Sequence, residues 1–123
     1  MATMTIILGE PPYGQERAYL TMRFLLTALH EGHDVNLFLF EDAIYLPKEE
    51  GEPRETTTNL DEKLSNCKNL IKSAIEMGAN VKVCGVCARE RALSQDDLIE
   101  GASIGAMQDL IRWIMEADKV VSF

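Results

Sequence analysis

Cys84 and Cys87 stand in the run Cys84-Gly85-Val86-Cys87, where apolar Asn80-Val81-Lys82-Val83 gives way to polar Ala88-Arg89-Glu90-Arg91-Ala92-Leu93. A thiol at the end of a strand and the start of a helix faces unsatisfied backbone N–H groups and the positive end of a helix dipole. Both favour the thiolate, which is the nucleophilic form. Arg89 and Arg91 add positive charge nearby. Cys84 is therefore the candidate reactive centre.

Three chemistries use such a pair. A structural zinc site needs four ligands. Here only Cys67, His30 and His33 remain, on the inner face of the second predicted helix and the end of the first, so no metal is expected. A dithiol oxidoreductase closes a disulfide between thiols two residues apart. The pair follows the third predicted strand, and the tryptophan that precedes such a pair in thioredoxin-like proteins is missing, Trp113 lying far downstream. In the third chemistry, sulfur carriage, a thiolate takes sulfane sulfur as a persulfide and hands it on. It calls for a nucleophilic thiol, neighbouring positive charge and a pocket that limits water. Cys84 and Arg89 answer the first two.

Each residue also has a plainer use. Cys84 could be a small buried apolar side chain, and Cys87 either a second thiol or packing. Cys67 falls on a repeating apolar helix face and reads as core. His30 and His33 flank a helix C-terminus, where cations complement the dipole. Arg89 and Arg91 are equally compatible with solvated helix charges. Trp113 and the methionines of the last helix read as core or subunit contacts.

The elements that must position these side chains alternate regularly. Thr5-Ile6-Ile7-Leu8 is a β-branched run ending at Gly9, a buried strand. Gly9-Glu10-Pro11-Pro12-Tyr13-Gly14 is a loop. Ala18, Met22, Leu25, Leu26 and Leu29 recur at helical spacing, with Gly32 as a C-terminal stop. A second strand spans Asp34–Phe40, and residues 47–58 form a long polar loop expected to be flexible. Asn59 and Glu62 resemble a capping box opening a helix that ends at Gly78. After the third strand come a short capped helix at Ser94–Leu98, a brief strand within 100–105, a last helix carrying Met107, Leu110, Ile111, Ile114 and Met115, and a closing strand at Lys119–Phe123.

Nearly continuous apolar strands alternating with helices predict one α/β domain over residues 1–123. It is a three-layer sandwich whose mostly parallel, roughly five-stranded sheet is flanked by helices on both faces. In such a sheet all loops leaving strand C-termini share one edge. If the first and third strands are neighbours, Tyr13 and Cys84 share one crevice there, with Glu41 and Asp42 leaving the second strand at the same edge.

The chain has 123 residues and a formal net charge of -8, so phosphate-driven nucleic-acid binding is not expected. Three cysteines form no disulfide framework. The N-terminus lacks the basic start of a signal peptide, and no apolar run nears the roughly 18 residues of a membrane span. A cytoplasmic protein without a membrane anchor is expected.

Several segments in order resemble the DsrE/TusD-like sulfur-relay family (DsrE/DsrF-like). These are Gly9-Glu10-Pro11-Pro12-Tyr13-Gly14, Gly32-His33, the 40–45 region, Val81-Lys82-Val83-Cys84 through Arg89-Glu90-Arg91, Ile104-Gly105-Ala106-Met107, and Asp118 to Phe123. The resemblance covers nearly the whole chain. It implies an α/β fold, oligomers of small subunits (here a homotrimer or homohexamer), and persulfide transfer in sulfur metabolism or tRNA thiolation between a donor and an acceptor protein. Cys84 matches the sulfur-carrying cysteine of active members, whereas Cys87 has no equivalent in the TusD-like pattern. The reading is a persulfide sulfurtransferase without cofactor: Cys84 as carrier, Arg89 stabilising its anion, Tyr13 and Gly14 at the pocket, and Cys87 a possible second thiol. The alternatives are a CxxC thiol-disulfide oxidoreductase and a non-catalytic assembly subunit.

Overall fold

The computed structural model describes residues 1–12, 16–49 and 59–123, with residues 59–66 described as helix backbone. Tyr13, Gly14, residues 50–58 of the predicted loop, and the side chains of the Asn59–Glu62 capping box lie outside the described residues.

Among the described residues, five strands form one parallel sheet: β1 (Thr3–Leu8), β2 (Asp34–Leu39), β3 (Asn80–Cys84), β4 (Ala102–Gly105) and β5 (Lys119–Ser122), in the order β4-β3-β2-β1-β5. The helices are α1 (Arg17–His30), α2 (Asn59–Glu76), α3 (Gly85–Glu90) and α4 (Met107–Glu116), with 3₁₀ turns at Glu41–Tyr45 and Gln95–Asp97. β1 to β4 advance one place at a time in one direction. Right-handed crossovers then put α1 and α2 on the same face, where they pack together. The return from β4 to β5 runs the other way past three strands, so its helix, α4, lies on the opposite face.

Strand periodicity sorts the side chains between these faces. Ile6, Leu8, Val35, Leu37, Leu39, Val81 and Val83 point into the main core with Met22, Leu25, Cys67 and Ile71. The alternate positions Ile7, Phe38 and Cys84 meet Leu110, Trp113 and Ile114 of α4 in a smaller second core. Cys67 is sealed in the main core, and burial pushes its thiol up despite the nearby Lys68 cation.

The order corrects one expectation. β1 and β3 are not neighbours, because β2 lies between them, and the winding reverses between β1 and β5. The C-terminal end of β1 therefore does not adjoin Cys84 across neighbouring strands. The start of the predicted loop is also structured: the Glu49 N–H donates to the Asp97 carbonyl at 2.6 Å, and the Ile99 N–H to the Pro47 carbonyl at 2.8 Å. The buried Lys68 ammonium ties this segment down, donating to the carbonyls of Tyr45 (3.0 Å) and Lys48 (2.9 Å). The cation thereby satisfies backbone acceptors at the end of a 3₁₀ turn.

Three helices end alike. At α1, Gly32 (φ 90°) and His33 return their N–H groups to Leu29 and Ala28. At α2, Gly78 (φ 100°) and Ala79 do so to Ile75 and Ala74. At α3, Ala92 and Leu93 bond back to Arg89 and Ala88, but here an alanine holds the left-handed φ of 54°. These are Schellman closures, the third without its usual glycine.

Candidate functional site

Cys84 ends β3 and is the residue before α3, with extended backbone (φ -60°, ψ 123°). The alternation of β3 sends Val83 to the main core and Cys84 toward α4, so the Cys84 thiol sits among Phe38 and Leu110. It is 5% exposed, on the wall of an open cleft of about 530 Å³. Arg89 of α3, Ile104 and Gly105 of β4, and Met107 to Asp109 of α4 line the rest. The thiol is thus buried yet borders a cleft at the C-terminal edge of the sheet, where ligands of open α/β sheets bind.

Close backbone approach makes that cleft. A Cβ on Gly85 would stand 3.1 Å from the Gly105 carbonyl oxygen, so the β3–α3 turn lies directly against the end of β4. Gly105 in turn lies beneath Lys82, whose Cδ would be 2.9 Å from an added Cβ. Lys82 pairs with Asp109 at 3.4 Å and lies over the Trp113 ring. Asp109 supplies half of a capping box for α4, accepting the Ala106 N–H at 2.8 Å, while the N-cap alanine supplies no other half. That hydrogen bond, with Lys82 and Arg112 adding to it, holds Asp109 below the usual carboxylate range against some loss of solvent. The cleft floor therefore carries an ionised carboxylate with two cations beside it.

Cys87 lies in the first turn of α3, half-buried, and packs against the cluster that holds Cys84. The Glu41 N–H, at the C-terminal end of β2, donates to Cys87 Sγ at 3.1 Å. Glu41 itself holds a left-handed φ of 52°. Arg91 fastens the two segments: its Nε donates to Asp42 at 2.9 Å and its Nη1 to the Cys87 carbonyl at 3.2 Å. Burial pushes the Cys87 thiol up and the adjacent Cys84 sulfur adds to this, while the Glu41 amide and Arg91 oppose them.

Of the residues singled out from sequence, Cys84, Cys87 and Arg89 are brought together at this edge, and Arg89 makes no ion pair among the described residues. Arg91 is instead committed to Asp42. His33 Nδ1 accepts the Ala2 N–H at 3.1 Å, far from the cysteines along the sheet. Among the described residues no group of His, Cys, Asp and Glu is arranged to hold a metal ion. Sequence reading missed Lys82, Asp109 and the Glu41 amide. A lone lysine within a buried strand was the available signal for the first, and a backbone amide carries none.

No helix among the described residues is long and apolar enough to cross a membrane. The model of the DsrE/DsrF-like family matches residues 2–123. An uncharacterized protein of Methanocaldococcus jannaschii is 50% identical over 119 residues, spanning 97% of each chain. One from Methanopyrus kandleri is 44% identical over 120 residues, covering 98% of this chain and 93% of its own. Protein YchN of Escherichia coli is 30% identical across the full length of both. The YchN crystal structure superposes with a TM-score of 0.83 at 28% identity, again over all of both chains. The chain belongs to the DsrE/DsrF-like family.

Proposed function

We propose that this protein carries sulfane sulfur as a persulfide on Cys84 and passes it from a donor to an acceptor protein, without a cofactor. The observation that carries the reading is the cleft-facing Cys84 thiol at the sheet's C-terminal edge, in a chain of the DsrE/DsrF-like family. In loading, the Cys84 thiolate attacks the outer sulfur of a donor persulfide. The donor S–S bond breaks, a new one forms at Cys84, and the donor leaves as its thiolate. Arg89, on the cleft wall, is the cation available to the persulfide anion. Val86, Ile104 and Met107 give the cleft beside it an apolar lining. The proposal extends to a cytoplasmic homo-oligomer, trimer or hexamer, for which the exposed row Met107, Ile111 and Met115 on α4 is the supporting feature.

Incubation with a sulfane donor should add the mass of one sulfur atom to the peptide bearing Cys84, and Cys84→Ser should abolish it. Equal loading of Cys84→Ser overturns the assignment. A second reading, a dithiol oxidoreductase, is favoured by the Cys-x-x-Cys spacing, with Cys87 packed against the cluster that holds Cys84. It requires turnover of a dithiol substrate with no sulfane donor present.

A further inference from the structure

Carriage on Cys84 leaves Cys87 without a task, although its placement is the more elaborate of the two. It packs against the cluster that holds Cys84, its sulfur receives the Glu41 N–H at 3.1 Å, and it belongs to a turn clamped to the end of β2 through Arg91 and Asp42. A thiol held against a persulfide is the nearest nucleophile whenever no acceptor occupies the cleft, and its effective concentration exceeds that of any thiol in solution.

We propose that Cys87 is a second reacting thiol, which discharges an unclaimed Cys84 persulfide as hydrogen sulfide and leaves a Cys84–Cys87 disulfide. The inference rests on the persulfide reading above and adds to it a product and an end state. Cys87 loses its proton and its sulfur attacks Cys84 Sγ, forming the Sγ–Sγ bond. The bond from Cys84 Sγ to the terminal sulfur of the persulfide anion breaks, and that sulfur takes up the Cys87 proton and leaves with the electron pair as hydrosulfide, which solvent protonates to hydrogen sulfide. The terminal sulfur is reduced and the Cys87 sulfur oxidised, so no outside oxidant enters. A dithiol reductant resets the pair by thiol–disulfide exchange. It reaches the disulfide through Cys87, the more exposed sulfur. The Glu41 N–H lies where negative charge collects on Cys87 before attack.

The test compares the wild-type chain with Cys87→Ser and Cys87→Ala after loading with inorganic polysulfide, removal of excess, and exclusion of oxygen and thiols. The wild type is expected to release about one sulfide per chain and to yield a linked 84–87 peptide two hydrogens lighter. Both variants are expected to keep the persulfide at least about tenfold longer, as loss of an intramolecular nucleophile requires. They should give up sulfide only when a dithiol is added. Equal persulfide lifetimes in all three chains, or sulfide release without the 84–87 linkage, overturn the role of Cys87 while leaving carriage by Cys84 intact. Failure of Cys84 to load in any of them overturns both.

Discussion

At the scale of single residues, two thiols three positions apart have received opposite treatment. Cys84 is nearly enclosed and reached from a cleft, whereas Cys87 is half-buried and meets a backbone amide. Burial and the neighbouring sulfur raise the Cys87 thiol above its ordinary value of about 8.5. The thiol form therefore predominates at neutral pH, and nucleophilicity grows as pH rises through the raised value. The charged and titratable groups in contact are Cys84 and Arg91, the latter paired with Asp42. Alkylation of Cys87, followed against pH by fragment-ion mapping that separates the two cysteines, should show a midpoint above that of an ordinary thiol. Arg91→Ala should move that midpoint further up, since it removes a favourable cation. A midpoint at or below the ordinary thiol value contradicts this picture.

At the scale of elements, the sequence was legible wherever a period or a cap residue announced itself. Gly32 and Gly78 marked the ends of α1 and α2, and both occupy the left-handed position that stops a helix. The strands were readable because both faces are covered, so Leu37, Phe38 and Leu39 are all buried. The end of α3 is not legible: no glycine or proline within Ala88 to Leu93 marks a stop, yet the helix runs Gly85–Glu90 and turns at Ala92. An L-residue with a side chain pays strain there, so Ala92→Gly should stabilise the fold by about 0.5–1 kcal/mol after allowing for glycine's unfolded-state entropy. The check is a chemical-denaturation midpoint, which should rise at unchanged slope. Strand order was equally hidden. Nothing in the residues of β1 or β3 says that β2 lies between them, because parallel neighbours share no residue-type signature. Edge protection of β4 was hidden too: the Gln95 side chain donates to the Ala102 carbonyl at 2.9 Å and accepts the Ile104 N–H at 2.8 Å, standing in for a missing strand.

For the whole molecule, the acidic balance matters through the few carboxylates with defined partners. Asp97 is held below the usual carboxylate range by the Ser94 N–H and hydroxyl, and Asp109 by the Ala106 N–H with help from Lys82 and Arg112. Groups depressed on folding stabilise the native state above the unfolded value, about 3.9 for aspartate, and lose that contribution as pH falls through the folded value. Urea midpoints should therefore fall below about pH 4. The fall should be shallower in an Asp97→Asn, Asp109→Asn double variant, whose stability at neutral pH is already lower. An unchanged slope in the double variant would assign the acid sensitivity to other carboxylates.

The pairing of β1 with β5 has a consequence during synthesis. Thr3 bonds to Asp118, 115 positions later, and β5 closes the side of β1 opposite β2. At about 5–20 residues per second, a ribosome leaves that side of β1 without its mate for on the order of ten seconds after β1 emerges. Throughout that interval a newborn chain presents an open row of amides and carbonyls to its neighbours. Crowded polysomes are thus where association between unfinished copies would begin.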